Sequence, residues 1–251
     1  MAYDAVATGR TPALVIYLLD ISHSMSEKLG GEPKIDHVNR AIEQVLARMV
    51  QRSTKGATIS PRYRLAIIAY SDTPEDILGG IRTIDEVAQY GNPILSTSAA
   101  TDTFAAFQMA RDLLRQELAS SSDGNCPAPM VCHMTDGMYT GTDPEPVARE
   151  IMQMRTPDGP VLVENIYVGK NLTVDAISDP AAWPGVADAS ELSDSYARKL
   201  FNMSSPLPDS YARVINESGY SLQPGSRMLI PSSNGDLIEL AFAMSGATPT
   251  A

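Results

Sequence analysis

Basic residues are scarce in this 251-residue chain: 19 Lys and Arg stand against 30 Asp and Glu, for a formal charge of −11. Nucleic-acid binding draws most of its sequence-independent affinity from Lys and Arg, so this surface argues against a polyanion partner. Cysteine is rarer still. Cys126 and Cys132 make no disulfide framework, and Cys132 lies in an apolar run where buried free thiols are common. The longest apolar run, 13–19, falls far short of the roughly 20 residues that cross a bilayer, which predicts no membrane association. Residues 1–10 lack the basic flank and apolar core of a secretory signal, and the expectation is a soluble, cytoplasmic protein. The remaining composition, 43% apolar and 20% charged, is that of an ordinary globular chain.

Four short apolar runs, at 13–19, 65–70, 130–134 and 161–168, predict buried strands. Helical spacing fills the gaps between them. Ile35, Val38, Ile42, Val45, Leu46 and Met49 mark a helix over about 34–51. Phe104, Phe107, Leu114 and Leu118 mark one over about 103–119, and Val147, Ile151 and Met154 one over about 144–155. Strand and helix alternate, so the predicted fold class is α/β: a doubly wound, mostly parallel central sheet with helices on both faces. The stretch 77–84, broken by Gly79-Gly80, reads as one antiparallel edge strand. Beyond Gly169, a loop around Pro180, Trp183 and Pro184 precedes helices at about 190–203 and 209–217 and a strand at about 227–230. A turn at Asn234-Gly235 and a helix over 236–244 close the chain. A single domain over 1–251 is the simplest parse, with its core at about 12–170 and a C-terminal elaboration at about 171–251. The stretch 203–211, with its prolines, reads as an apolar interaction edge.

Ligands of open α/β sheets bind beyond the carboxyl ends of the strands. There this chain is rich in oxygen: Asp20-Ile21-Ser22-His23-Ser24 follows the first strand, Thr135-Asp136-Gly137 the third, and Thr101-Asp102-Thr103 precedes a helix. Carboxylates and hydroxyls brought to one edge form the ligand set that Mg²⁺, Mn²⁺ or Ca²⁺ prefers. Rival motifs fail on the same residues. A phosphatase of the haloacid-dehalogenase type needs a carboxylate where Ser22 stands, and an EF-hand starting at Asp20 needs glycine and glutamate where Met25 and Gly31 stand. No nucleophile elbow, dinucleotide fingerprint or Walker loop occurs.

Asp20-x-Ser22-x-Ser24, Thr101 and Thr135-Asp136-Gly137, each beside an apolar strand, resemble the metal-ion-dependent adhesion site (MIDAS) of the von Willebrand factor A (VWA) family. The strand Leu65-Ala-Ile-Ile-Ala-Tyr-Ser-Asp72 adds to that likeness, which covers roughly 12–170. Within that family the chain looks most like the short bacterial cytoplasmic TerY-like members, a resemblance that implies tellurium resistance and stress signalling alongside a kinase and a phosphatase. The resemblance implies that Ser22, Ser24 and Thr101 bind a divalent cation directly, and Asp20 and Asp136 directly or through water. Ser98-Ala99-Ala100-Thr101 departs from the family's two glycines before its threonine, which leaves Thr103 as a second candidate. Three neutral hydroxyls and two carboxylates neutralise such an ion poorly, so a vacant position would attract an anionic oxygen. The expected role is that of a non-enzymatic module capturing a partner protein's Glu or Asp, with Mg²⁺ as the expected ion. The alternative is a metal-assisted hydrolase or phosphatase with His23, His133 or Asp102 as base, although His133 reads as an interior histidine and His23 as turned from the ligands.

Overall fold

The computed structural model describes residues 3–98, 100–120, 126–169, 172–217, 219–231, 240, 241, 244 and 248. Five parallel strands make the centre of one sheet: β1 (Ala13–Asp20), β2 (Tyr63–Tyr70) and, past two short antiparallel segments β3 (Pro74–Asp76) and β4 (Arg82–Thr83), β5 (Met130–Thr135), β6 (Leu162–Tyr167) and β7 (Leu229–Pro231). Their order across the sheet is β7-β6-β5-β1-β2-β3, with β4 also on β2. All of β1 is buried, as expected of a central strand covered on both faces.

The helices explain that coverage. The apolar stripe of α1 (Lys34–Ser53) packs on one face against Val15, Tyr17 and Leu19, while Phe107 and Leu114 of α3 (Thr103–Ser120) pack on the other against Ile16 and Leu18. The chain therefore leaves β1 over one face to reach β2, and returns over the opposite face to enter β5 on the far side of β1. Strand order reverses between β1 and β5, which is where doubly wound sheets leave a crevice at their carboxyl ends.

Several boundaries differ from the sequence reading. The expected edge strand at 77–84 is mostly a turn between β3 and β4 in which Gly79 and Gly80 have positive φ; of it only Arg82–Thr83 is strand, and Ile84 opens α2 (Ile84–Tyr90) instead. A reciprocal capping box between Thr83 and Glu86 starts that helix, a signal that outweighs its short period. The helix expected over 144–155 is the shorter α4 (Glu145–Ile151), and Arg155 lies beyond it, paired with Pro160 in a bridge. Asp194 caps α5 (Ser195–Asn202), so the helix expected from 190 begins later, while α6 (Asp209–Glu217) lies as read. Met203, Leu207 and Tyr211 are buried, so the stretch 203–211 offers no exposed apolar edge. The turn at Asn234-Gly235 lies outside the described residues, and of the last helix Leu240, Ala241 and Met244 are described, all helical and buried.

Two buried polar groups on the sheet shape its stability. His133 donates from Nδ1 to Asn165 Oδ1 at 2.7 Å and accepts at Nε2 from the Tyr70 hydroxyl at 2.6 Å, reaching across β1. Asn165 passes the chain on to Ser204 Oγ at 2.9 Å. Burial holds His133 down to about 4, in its neutral form. On the other face Glu164 is fully buried beside its cross-strand neighbour Cys132, with no hydrogen bond of ordinary geometry to either oxygen among the described residues, and burial pushes its carboxyl up to about 8.

The two groups give opposite pH dependences. Below pH 6.5 the unfolded chain binds a proton that native His133 refuses down to about 4, so stability falls on acidification. Native Glu164 keeps a proton that the unfolded chain loses near 4.5, so stability falls as pH rises toward about 8. Between pH 6.5 and 8 the Glu164 slope stands alone of the two, at up to about 1.4 kcal/mol per pH unit. Thermal melts are expected to show a midpoint that declines over this interval in the native sequence and a flatter one in Glu164→Gln; identical slopes would contradict the assignment. Asn165→Ala, which strips bonds from both His133 and Ser204, is expected to cost about 1–3 kcal/mol in urea unfolding.

Candidate metal centre

Register brings the two carboxylates together. Leu19 pairs with Met134 across β1 and β5, which sets Asp20 level with Thr135 and one residue short of Asp136. The Thr135 hydroxyl donates to Asp20 Oδ2 at 2.7 Å, and the Ser22 backbone N–H donates to Asp20 Oδ1 at 2.8 Å. Asp20 is fully buried. Burial pushes its carboxyl up to about 6, with Asp136 adding to the rise while the Ser22 and Thr135 bonds act against it.

After β1 the chain turns through a short 3₁₀ segment, His23–Ser26, which directs the hydroxyls of Ser22 and Ser24 toward each other at 3.0 Å. His23 is exposed on this turn. After β5, Gly137 has φ +89°, and an added Cβ would sit 3.3 Å from the Tyr167 ring, so only glycine lets the loop turn here with its N–H on Thr135 Oγ1 at 3.0 Å. Asp136 is 6% exposed. Its Oδ2 accepts from Lys34 Nζ at 3.1 Å, and its Oδ1 is buried with no hydrogen-bond partner among the described residues.

The loop before α3 is stitched to all three neighbouring segments. Ser98 N–H donates to Ile21 O at 2.7 Å, Asp102 N–H to Ser71 O, and Thr140 N–H to Thr101 O at 2.9 Å. The Thr140 hydroxyl also donates to Thr101 O. Thr101 is thereby held, buried, between the ends of β1, β2 and β5. Ala99 lies outside the described residues. Thr103, the second candidate, interacts with the hydroxyl of buried Tyr70, on the core side of the loop. Asp102 caps α3 by accepting from Ala105 N–H at 2.9 Å.

Asp20, Ser22, Ser24 and Thr135 thus form one bonded cluster, with Asp136 next along the chain and close enough to Asp20 to raise its pKa, and with Thr101 tethered at the same strand ends. Lys34 joins the same cluster and was not singled out by sequence, since 102 positions separate it from Asp136. Its one visible signal was a Lys opening a helix, where the helix dipole favours acidic side chains. Among the described residues no three His, Cys, Asp or Glu side chains group to hold a metal, so an ion here would depend on hydroxyl oxygens. The donor set fits a hard divalent cation. Neighbouring oxygens in an octahedral Mg²⁺ shell at about 2.1 Å lie about 3.0 Å apart, the spacing of Ser22 Oγ and Ser24 Oγ. The orphaned Asp136 Oδ1 is a buried carboxyl oxygen that lacks a partner among the described residues, which a cation or its bound water would supply. Cavities of about 450 and 510 Å³ lie elsewhere, beside the amino ends of β1 and β2 and along 173–191, and none of the five expected ligands lines either. No helix among the described residues is long and apolar enough to cross a membrane.

Comparison with known proteins agrees with this architecture. The PilB minor pilin from Streptococcus sanguinis aligns over 93% of this chain and 60% of its own, at 10% identity and a TM-score of 0.54. Proximal thread matrix protein 1 from the mussel byssus aligns over 95% of this chain and 47% of its own, at 10% identity and a TM-score of 0.51. The chain therefore spans about half of the byssus protein and less than two thirds of the pilin, and the likeness is one of fold. No curated protein matches the chain. Residues 15–138, from β1 through the Thr135-Asp136-Gly137 loop, match the family model of the von Willebrand factor type A domain. By that match and by the sheet order around the switch point, this segment is similar to a von Willebrand factor type A domain, and the C-terminal residues extend the same sheet through β7.

Proposed function

We propose that the chain is a divalent-cation-dependent protein-interaction module, in which an ion held by Ser22, Ser24, Thr101, Asp20 and Asp136 captures a Glu or Asp side chain of a partner. The observation that carries this reading is the buried Asp136 Oδ1, unpartnered among the described residues, just past the end of the strand that pairs with β1, whose own end leads into the converging Ser22 and Ser24 hydroxyls. Mg²⁺ is the proposed ion, because an oxygen shell with three hydroxyls leaves room for the waters it retains. When bound, the ion supplies a centre of positive charge at the strand ends. The chain's own residues hold the hydroxyls in place, exclude water from Asp20, and fix Asp136 through the glycine turn behind it.

The surroundings support a protein ligand. Met138, two residues beyond Asp136, is 55% exposed, and Ile94, on the loop that Ser98 ties to Ile21, is 90% exposed. Apolar side chains standing proud beside a charged centre suit a folded partner more than a free ion or metabolite. A non-catalytic role fits the placement of the three former base candidates: His133 engages both ring nitrogens in the core, Asp102 caps a helix, and His23 lies on the exposed turn. A cytoplasmic place in bacterial stress response, with a kinase and phosphatase system, is proposed on the sequence resemblance alone.

Ser22→Ala is expected to retain a cooperative melt within about 1 kcal/mol of the native chain and to weaken Mg²⁺ binding about tenfold or more in calorimetry. An affinity capture in Mg²⁺ is expected to retain a partner that EDTA or this substitution releases. Unaltered Mg²⁺ affinity in Ser22→Ala, or retention indifferent to EDTA, would contradict the proposal.

A further inference from the structure

Lys34 is the first residue of α1, and its backbone N–H bonds to Glu27 O at 2.9 Å, closing the loop that begins at Ser22. Its side chain turns back toward the strand ends. There Nζ sits 3.1 Å from Asp136 Oδ2 and 2.9 Å from Glu27 Oε2. The two carboxylates differ in setting: the Asp136 side chain is 5% exposed and that of Glu27 69%, while Lys34 itself is 13% exposed. A lysine at this position opposes the helix dipole, so nothing in helix formation calls for it. It is held by the two carboxylates, one of which belongs to the metal centre.

An ammonium at hydrogen-bond distance from Asp136 and a divalent ion sharing that carboxylate are like charges a few ångströms apart, in a partly desolvated place where repulsion is poorly screened. The cluster has only two carboxylates to offset a divalent ion, and Lys34 already uses one oxygen of one of them. We infer that the Lys34 ammonium is a resident cation that competes with the divalent ion for Asp136, moving out to Glu27 and solvent when the ion binds. This rests on the reading of the oxygen cluster as a metal centre and adds its regulation. The long, flexible stem of lysine permits the move, and Glu27, exposed and already bonded, keeps a partner for the displaced charge. Competition of this kind tunes the site to weak ion affinity in isolation. An incoming carboxylate strengthens the bound state, because it adds the negative charge that the ion and ammonium together lack.

Mn²⁺ calorimetry on the native chain, Lys34→Met and Ser22→Ala tests this, together with amine-reactive labelling of Lys34 read by mass spectrometry. Lys34→Met is expected to bind Mn²⁺ about tenfold tighter than the native chain, through loss of a nearby like charge. In the native chain, labelling of Lys34 is expected to rise on addition of Mn²⁺ as the ammonium leaves its largely buried position. An equal or weaker Mn²⁺ affinity in Lys34→Met, or labelling indifferent to Mn²⁺, overturns the competition. The control separates the two levels: Mn²⁺ binding that requires Ser22 but ignores Lys34 removes the competition alone, whereas binding that survives Ser22→Ala removes the metal centre and the competition with it.

Discussion

The site depends on the pairing of β1 with β5. That register places Asp20 beside Thr135 and Asp136 at the strand ends, and two carboxylates in a desolvated edge repel each other. The surrounding structure is organised to make this tolerable. Asp20 receives the Ser22 N–H and the Thr135 hydroxyl, Asp136 receives Lys34, and one oxygen of Asp136 receives nothing from the described residues. A buried carboxylate oxygen without a donor costs free energy unless a cation or water completes it. The vacancy in the bonding pattern and the convergence of hydroxyls are therefore two views of one constraint.

The same sheet separates scaffold from site by face and by height. Under α3, Tyr70, His133, Asn165 and Ser204 form a satisfied chain of hydrogen bonds in the core, one level below the oxygen cluster. Tyr70 and Thr135 connect the two, since the Thr135 hydroxyl interacts with Tyr70 and also donates to Asp20. The polar network thereby fixes the strand ends, while the three loops above them carry the exchangeable chemistry. Loops held by backbone bonds at Ile21, Ser71 and Thr101 keep hydroxyls in register without burying them completely.

Most of this architecture was legible because it is written in apolar runs. The strands, the two long helices α1 and α3 and the shorter α4 appear as uninterrupted or periodic hydrophobicity, and the oxygen-rich triplets stand near the strand ends, where a doubly wound sheet puts its ligands. What escaped was carried by other signals. Helix α2 is too short to show a period and is specified by the Thr83–Glu86 capping box. Glu164 sits in an apolar run that hides a buried acid, because its neighbours read as one continuous strand. Lys34 looked like an ordinary charged residue at a helix start, and only the tertiary approach of α1 to the β5 loop gives it Asp136. The residues 203–211 misled in the opposite sense. Prolines and apolar side chains suggested an exposed edge, yet the segment fills the space beside β6, with Ser205 bonded to Val163 on both backbone and side chain.

The central claim is that a divalent ion sits among Ser22, Ser24, Thr101, Asp20 and Asp136. Anomalous-difference density from crystals grown with Mn²⁺ tests it most directly. The expected result is one strong peak about 2.2 Å from the Ser22 and Ser24 hydroxyl oxygens, with Lys34 Nζ moved off Asp136. A peak elsewhere, or an unpopulated cluster in which Lys34 still holds Asp136 at saturating Mn²⁺, would contradict it.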